Sequence, residues 1–262
     1  MGKITDALKK AAEERLTRIE KIDNQSSVKY EFIAAKTVDS KIDPRIIAFY
    51  DAQSPVTEQY RSLRTNLQAL NTPKPIKAIT ITSSIHGEGK TITAINLAIS
   101  IAHDLDKNKI LLVDADMRRS RISNYLGMDS TTGLSDLISN NIDLDKTLLN
   151  IGINNLTILP AGKSVDNSAE ILGSLKMKNL ISLLKTRYDF IIFDTPPITL
   201  VTDAGLIGAM TDGVVMVIQT DRTQRGVVKH SENLLKQAQA KLLGYILTNV
   251  QYHLPAYIYR YL

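Results

Sequence analysis

Residues 78–97 read Ala78-Ile-Thr-Ile-Thr-Ser-Ser-Ile-His-Gly-Glu-Gly-Lys-Thr-Ile-Thr-Ala-Ile-Asn-Leu97. Ile79 and Ile81 alternate with threonines up to Ser83, and beyond the glycines Ile92, Ile95, Ala98 and Ile99 recur at helical spacing. The stretch is therefore a strand, a loop and a helix, and Gly87-Glu-Gly-Lys-Thr91 closes a phosphate-binding (Walker A) loop. Glycines let backbone N–H groups turn toward phosphate oxygens, and the start of the helix adds its positive end. Lys90 can reach the β- and γ-phosphates, and the Thr91 hydroxyl can ligate Mg²⁺. Gly87, Glu88, Gly89, Lys90, Thr91 and Ile92 are thus the candidate nucleotide-binding residues. Ser84 stands where the pattern has its first glycine. A chance glycine turn ahead of a core helix is the competing reading, and the strand–loop–helix context argues against it.

Two further strands carry acids at their carboxyl ends. Residues 109–118, Lys-Ile-Leu-Leu-Val-Asp-Ala-Asp-Met-Arg, form a buried-type strand ending in Asp114 and Asp116. In a parallel sheet that end faces the same crevice as the phosphate loop. Residues 190–197, Phe-Ile-Ile-Phe-Asp-Thr-Pro-Pro, end in Asp194 and read as a Walker B strand, whose carboxylate holds Mg²⁺ directly or through water. Acids at strand ends can also be plain loop formers, but the repetition of the pattern disfavours that. More apolar strands at 156–159, 213–218 and 243–247 alternate with helical stretches such as 175–185 and 226–240. The expected fold is α/β: a P-loop NTPase-like, mostly parallel sheet flanked by helices on both faces, with an N-terminal helical extension.

At 262 residues with 44% hydrophobic content the chain can bury a substantial core, and without cysteine it can form no disulfide or thiolate metal site. The four histidines lack metal-ligand spacing. No apolar run approaches the roughly 18 to 20 residues of a membrane span, so a soluble, cytoplasmic protein is expected. A net charge of +5 discriminates little among anionic partners, and no nucleic-acid partner is expected.

Residues 2–22 place Ile4, Leu8, Ala12, Leu16 and Ile19 on one side of an amphipathic helix, suited to packing on the main domain, to a partner helix or to a membrane surface. The polar stretch that follows reads as a linker, giving three regions: helix and linker over 1–54, a P-loop domain over 55–250 and a tail over 251–262. Residues 56–70 form a helix with Tyr60, Leu63, Leu67 and Leu70 inward, while Glu58, Arg61 and Arg64, three apart, make one ridge. That ridge is either a solvated face or a pairing surface for a neighbouring subunit. Four of the ten tyrosines, Tyr252, Tyr257, Tyr259 and Tyr261, fall in the tail, where Pro255 argues against a continuous helix. A flexible substrate tail suits a chain terminus better than an aromatic tail docked on the core.

From about Val56 onward these residues resemble the bacterial tyrosine kinases, P-loop enzymes tied to capsule and exopolysaccharide production. The likeness rests on Glu58-x-x-Arg61-x-x-Arg64, the Walker A loop, residues 112–119 (Leu-Val-Asp-Ala-Asp-Met-Arg-Arg), the strand ending Asp194-Thr-Pro-Pro, and the tyrosine tail. Residues 159–162 and 201–204 also look like the family's. The resemblance implies ATP and Mg²⁺ as cofactors, Asp114 as general base on the tyrosine hydroxyl, and Thr91, Asp116 and Asp194 around Mg²⁺. It places Asn249 against the adenine and Glu58, Arg61 and Arg64 at the contact of subunits in a homo-oligomeric ring, where each tail enters a neighbour's site. It also implies a separate membrane activator of polysaccharide chain-length type, an opposing tyrosine phosphatase, and peripheral recruitment to the inner face of the cell membrane.

The opening ten residues are similar to those of stand-alone kinases encoded with exosortase-linked polysaccharide systems. Ser120 departs from the family's usual proline. Two alternatives are a membrane-site or chromosome-partitioning ATPase switch and a non-catalytic nucleotide-sensing assembly subunit. The first carries a signature lysine where Ile85 stands here, and the tyrosine tail argues against both.

Overall fold

In the computed structural model the described residues are 41–70, 75–103, 108–129, 132–140 and 142–250. The N-terminal amphipathic helix and the tail tyrosines lie outside them. Strands β1 (Ala78–Ser83), β2 (Ile110–Asp114), β3 (Leu156–Leu159), β4 (Phe190–Asp194), β5 (Gly213–Gln219) and β6 (Leu242–Thr248) form one sheet in the order β3-β2-β4-β1-β5-β6. Every pairing in it is parallel, so the sheet expected as mostly parallel is wholly so among the described residues.

Alternate residues of the strands feed two separate cores. On one face Ile79, Ile81, Ile110, Leu112 and Ile192 meet α3 (Lys90–Ala102), whose buried Ile95, Ala98 and Ile99 lie among them. Outside α3 lie α1 (Ile47–Tyr50) and α2 (Pro55–Ala69), which leave α3 buried almost all round. On the other face Leu111, Val113, Ile191 and Phe193 pack with α5 (Leu134–Asn140), α6 (Ser168–Leu172), α7 (Leu175–Arg187) and α8 (Asp203–Met210). A smaller cluster joins Val214 and Met216 of β5 to Leu235 of α9 (Arg225–Gln237). Cover on both faces is why β2, β4 and β5 read as nearly continuous apolar runs, while β1 alternates isoleucine with threonines that are buried with their hydroxyls hydrogen-bonded, Thr80 to Thr211 and Thr82 to Pro196 O.

The local start signals act as their chemistry requires. Ser54 caps α2 by accepting from Thr57 N at 3.1 Å, with Pro55 at the first helical position. Leu67 of α2 is buried, and Tyr60, Leu63 and Leu70 pack partly buried beside it. The packed domain also begins earlier than the expected boundary at 55. Ile46 and Ala48 are fully buried, Ala48 N donates to Asn96 Oδ1 at 2.9 Å, and Asn96 Nδ2 donates back to Arg45 O at 3.1 Å. The apolar run 46–50 is too short to show a period, and its partner is a polar residue on α3 that no local pattern marks. Among the described residues no helix is long and apolar enough to cross a membrane.

Candidate active site

The phosphate loop spans the end of β1 and the start of α3. Gly87 and Gly89 have φ of +81° and +92°, conformations that L side chains rarely adopt, and Gly89 is the residue on which α3 begins. Ser84 is not among the residues with positive φ, so the missing first glycine costs no backbone strain. Its buried hydroxyl accepts from Ser231 Oγ of α9 at 3.0 Å.

Glu88 does not present its side chain to the phosphate position. It is buried: Oε2 accepts from Ile85 N at 2.7 Å, and Oε1 accepts from Gln219 N at 3.1 Å and from the Thr223 hydroxyl. Its carbonyl accepts from Thr248 Oγ1 at 2.8 Å. One carboxylate therefore holds the loop's curve and ties it to the ends of β5 and β6. Arg222 adds a further tie, donating to His86 O at 2.9 Å beside Gly87.

Four charged groups meet where β2 and β4 end beside the loop. Asp114 and Asp194 stand opposite each other in register on adjacent parallel strands. Lys90 Nζ lies 3.3 Å from Asp116 Oδ2 and 3.6 Å from Asp194 Oδ1, with 13% of its side chain exposed. Thr91 Oγ1 donates to Asp194 Oδ2 at 2.6 Å. Burial works against the Lys90 charge, but the carboxylates of Asp194, Asp116 and Asp114 outweigh it and raise its pKa. Burial raises Asp194, against the pull of Lys90 and Thr91.

Asp114 is fully buried and pushed up to about 7 by burial and by the Asp194 charge. Its oxygens organise the loop that follows: Oδ1 accepts from Asp116 N at 3.2 Å, and Oδ2 accepts from Ser120 Oγ at 2.8 Å, Arg121 N at 3.2 Å and Ile122 N at 3.1 Å. Ile122 opens α4 (Ile122–Tyr125).

Mg²⁺ suits this oxygen set. Among the described residues Asp194 Oδ1 is buried without a hydrogen bond, 3.6 Å from Lys90 Nζ and beside a threonine hydroxyl and a second carboxylate. Among the described residues no group of three or more histidines and acids forms an all-protein metal cage; Mg²⁺ is commonly held by one or two carboxylates completed by phosphate oxygens and water.

The structure thus brings together Lys90, Thr91, Asp114, Asp116 and Asp194. Asn249 lies just past β6, exposed and with φ +54°, its carbonyl accepting from Thr220 Oγ1 at 2.7 Å. Ile92 is half-buried against the core in the first turn of α3. Glu58 and Arg61 pair within α2 at 2.9 Å; Glu58 is exposed, while Arg61 and Arg64 on the same ridge are half-buried. Tyr252, Tyr257, Tyr259 and Tyr261 lie outside the described residues. Asp203 lies in the family-like stretch 201–204 but is given no role from the sequence; its buried Oδ2 accepts from Ser168 Oγ at 2.8 Å and lies 3.6 Å from Arg118 Nε.

A protein-family model described as an AAA domain matches residues 76–243. The chain is 34% identical over 212 residues to the tyrosine-protein kinase YwqD of Bacillus subtilis (strain 168), covering 81% of this chain and 89% of that one. It is 36% identical over 207 residues to the tyrosine-protein kinase CpsD of Streptococcus agalactiae, covering 78% and 89%. Among solved structures it is similar to the chimerical protein CapA2B2, with TM-score 0.76 and 29% identity over 89% of this chain and 99% of that one.

Proposed function

The chain belongs to the bacterial tyrosine-protein kinases, and on that footing we propose that it transfers the γ-phosphate of Mg-ATP to the C-terminal tyrosines of neighbouring copies of itself. The observation that carries this reading is the single cluster of Lys90, Thr91, Asp114, Asp116 and Asp194 at the mouth of the phosphate loop.

In this reading Lys90 and the N–H groups of residues 87–92 hold the nucleotide phosphates, and Asn249 contacts the adenine. Thr91, Asp116 and Asp194 hold Mg²⁺, which supplies neutralisation of the charge on the transferring phosphoryl group. The phenol oxygen bonds to the γ-phosphorus as the bond to the β-phosphate oxygen breaks, ADP departs, and the phenolic proton passes to Asp114. An ordinary phenol, with pKa near 10, needs such an acceptor, and a carboxylate raised to about 7 is better matched to the task than an ordinary one. Ser120 Oγ occupies the donor position on Asp114 Oδ2 that the phenol would take over.

Further features of this reading are the tail tyrosines Tyr252, Tyr257, Tyr259 and Tyr261 as acceptors and a ring assembled through Glu58, Arg61 and Arg64. A separate membrane activator of polysaccharide chain-length type recruits the ring to the inner face of the membrane, and an opposing phosphatase resets it. The pathway served is exopolysaccharide or capsule synthesis and export. The regions 1–54, 55–250 and 251–262 serve as N-terminal helix and linker, kinase domain and acceptor tail, with the packed domain reaching back to residue 41.

The test is to incubate purified, dephosphorylated protein with Mg-ATP and map phosphate by mass spectrometry. Phosphotyrosine on residues 252–261 supports the reading. ATP hydrolysis with no phosphotyrosine overturns it in favour of an ATPase switch.

A further inference from the structure

The loop between β2 and α4 carries a charge arrangement that phosphoryl transfer does not use. Residues 118–121 are Arg-Arg-Ser-Arg, and their backbone is pinned by the two carboxylates of the DxD strand end. Arg119 N donates to Asp116 Oδ1 at 2.9 Å, while Ser120 Oγ and Arg121 N donate to Asp114 Oδ2. Arg118 turns back toward the buried Asp203. Arg119 and Arg121, two residues apart, are both exposed, and among the described residues neither guanidinium has an ion pair or hydrogen bond. Both are close enough to His86, at the tip of the phosphate loop, that their charges join burial and Lys90 in lowering its pKa. The Lys90 charge is answered by Asp116 and Asp194; those of Arg119 and Arg121 are not.

An unpaired arginine pair held by a rigid loop beside a transfer site suits an anion that is not the nucleotide, whose phosphates have their own loop. Residues 251–262 contain no aspartate or glutamate and bring Arg260, so an unmodified tail has no side-chain charge to offer these arginines. One phosphate on a tyrosine supplies about −1.5 to −2 charges. Tyr257, Tyr259 and Tyr261 are spaced two apart, which in an extended segment puts them on one side at intervals of about 6 to 7 Å.

We infer that Arg119 and Arg121 form a phosphotyrosine subsite, holding a modified tyrosine of a neighbouring copy's tail while the tyrosine two residues away occupies the transfer site. The inference rests on the reading of the tail as acceptor and adds that the first phosphate on a tail promotes the next.

The test measures binding of synthetic peptides of residues 251–262, unmodified or phosphorylated on Tyr259, to the dephosphorylated full-length chain with saturating ADP, by fluorescence anisotropy. The phosphopeptide should bind at least about tenfold more tightly, with the margin shrinking at high salt. An Arg119→Ala, Arg121→Ala protein should lose that margin, and a double lysine replacement should keep part of it. Alanine retains both backbone N–H groups, and a melting curve confirms the fold.

Equal affinity of the two peptides, or an undiminished margin in the double-alanine protein, overturns the inference. So does a margin that appears only when ADP is left out, which would put the peptide's phosphate on the nucleotide loop. None of these readouts depends on catalysis, so failure of the kinase reading is seen separately, as absence of tail phosphate in the wild-type reaction.

Discussion

Asp114 and Asp194 lie directly opposite each other on neighbouring parallel strands, both buried, with Lys90 and Thr91 compensating only Asp194 at close range. Two like charges at one depth in a poorly solvated site cannot both ionise freely, so burial first and mutual repulsion second raise Asp114 to about 7.

This has a measurable consequence for the nucleotide-free protein. A carboxyl raised from 3.8 to about 7 on folding holds its proton more tightly in the folded state. Its contribution is most favourable below the unfolded value and is lost as pH rises through about 7. The histidines whose pKa is lowered on folding, His86 and His103, act in the opposite direction, but equally in wild type and variant. Melting temperatures of wild type should therefore fall relative to Asp114→Asn between pH 4.5 and pH 8.5. Parallel curves would show that Asp114 is not raised.

In catalysis, Asp114→Asn should suppress transfer far more than nucleotide affinity, because an amide cannot take the phenolic proton; general-base assistance is typically worth about 10²–10⁴-fold. The wild-type rate should rise with pH through about 7 as the base loses its proton. A collapse of nucleotide binding with unchanged turnover of bound ATP would remove Asp114 from the base role.

Lys90→Met should abolish autophosphorylation while circular dichroism reports an intact fold. The variant leaves Asp116 and Asp194 without their ammonium partner, so it should melt below wild type. Undiminished phosphorylation in the folded variant would refute the assignment of the loop.

Glu88→Ala should weaken nucleotide binding and lower stability, although the side chain faces away from the phosphates. The substitution removes the acceptor of the half-buried N–H groups of Ile85 and Gln219, which costs up to about 1–3 kcal/mol each where water cannot take its place. Wild-type affinity and melting temperature in this variant would mean that the loop keeps its shape without the carboxylate.

Arg61→Ala, Arg64→Ala tests the ring. In the isolated chain Arg61 pairs with the exposed Glu58, a contact worth little by itself. The unphosphorylated double variant should be smaller by light scattering than the parent, with little change in melting temperature. Equal masses at matched concentration would rule the ridge out as the interface.

Transfer between molecules is tested by mixing. A Lys90→Met chain with an intact tail should become labelled by an active chain truncated after Val250. Phosphate confined to chains that carry both Lys90 and their own tail would exclude the intermolecular route, and phosphate chiefly on Tyr60, Tyr125 or Tyr188 would exclude the tail.

Much of the cluster that the fold assembles, Lys90, Thr91, Asp114, Asp116 and Asp194, was legible in the linear sequence. The phosphate loop is one continuous strand–loop–helix whose chemistry depends on neighbouring residues, and each DxD or Asp-Thr-Pro-Pro strand end carries its acids at fixed local positions. Most of the strands were legible because a sheet covered on both faces favours long apolar runs, and β1 was legible by its alternation of isoleucine and threonine. Glu88 shows the limit of this local logic: it lies inside the nucleotide-binding motif, yet its partners Gln219 and Thr223 are more than 130 positions away, and they turn it inward. The packing of residues 46–50 against Asn96 was hidden for the same reason.

By itself, then, the sequence determined which groups are available for phosphate, metal and proton chemistry, since those are properties of residue type and short spacing. Tertiary structure alone decided that β4 inserts between β2 and β1. That insertion sets Asp194 opposite Asp114 and over Lys90 and Thr91, and hence decides which carboxylate is paired and which is raised. Electrostatic interactions in a dry site depend on distances between groups 80 positions apart in the chain, and only the closed sheet fixes those distances.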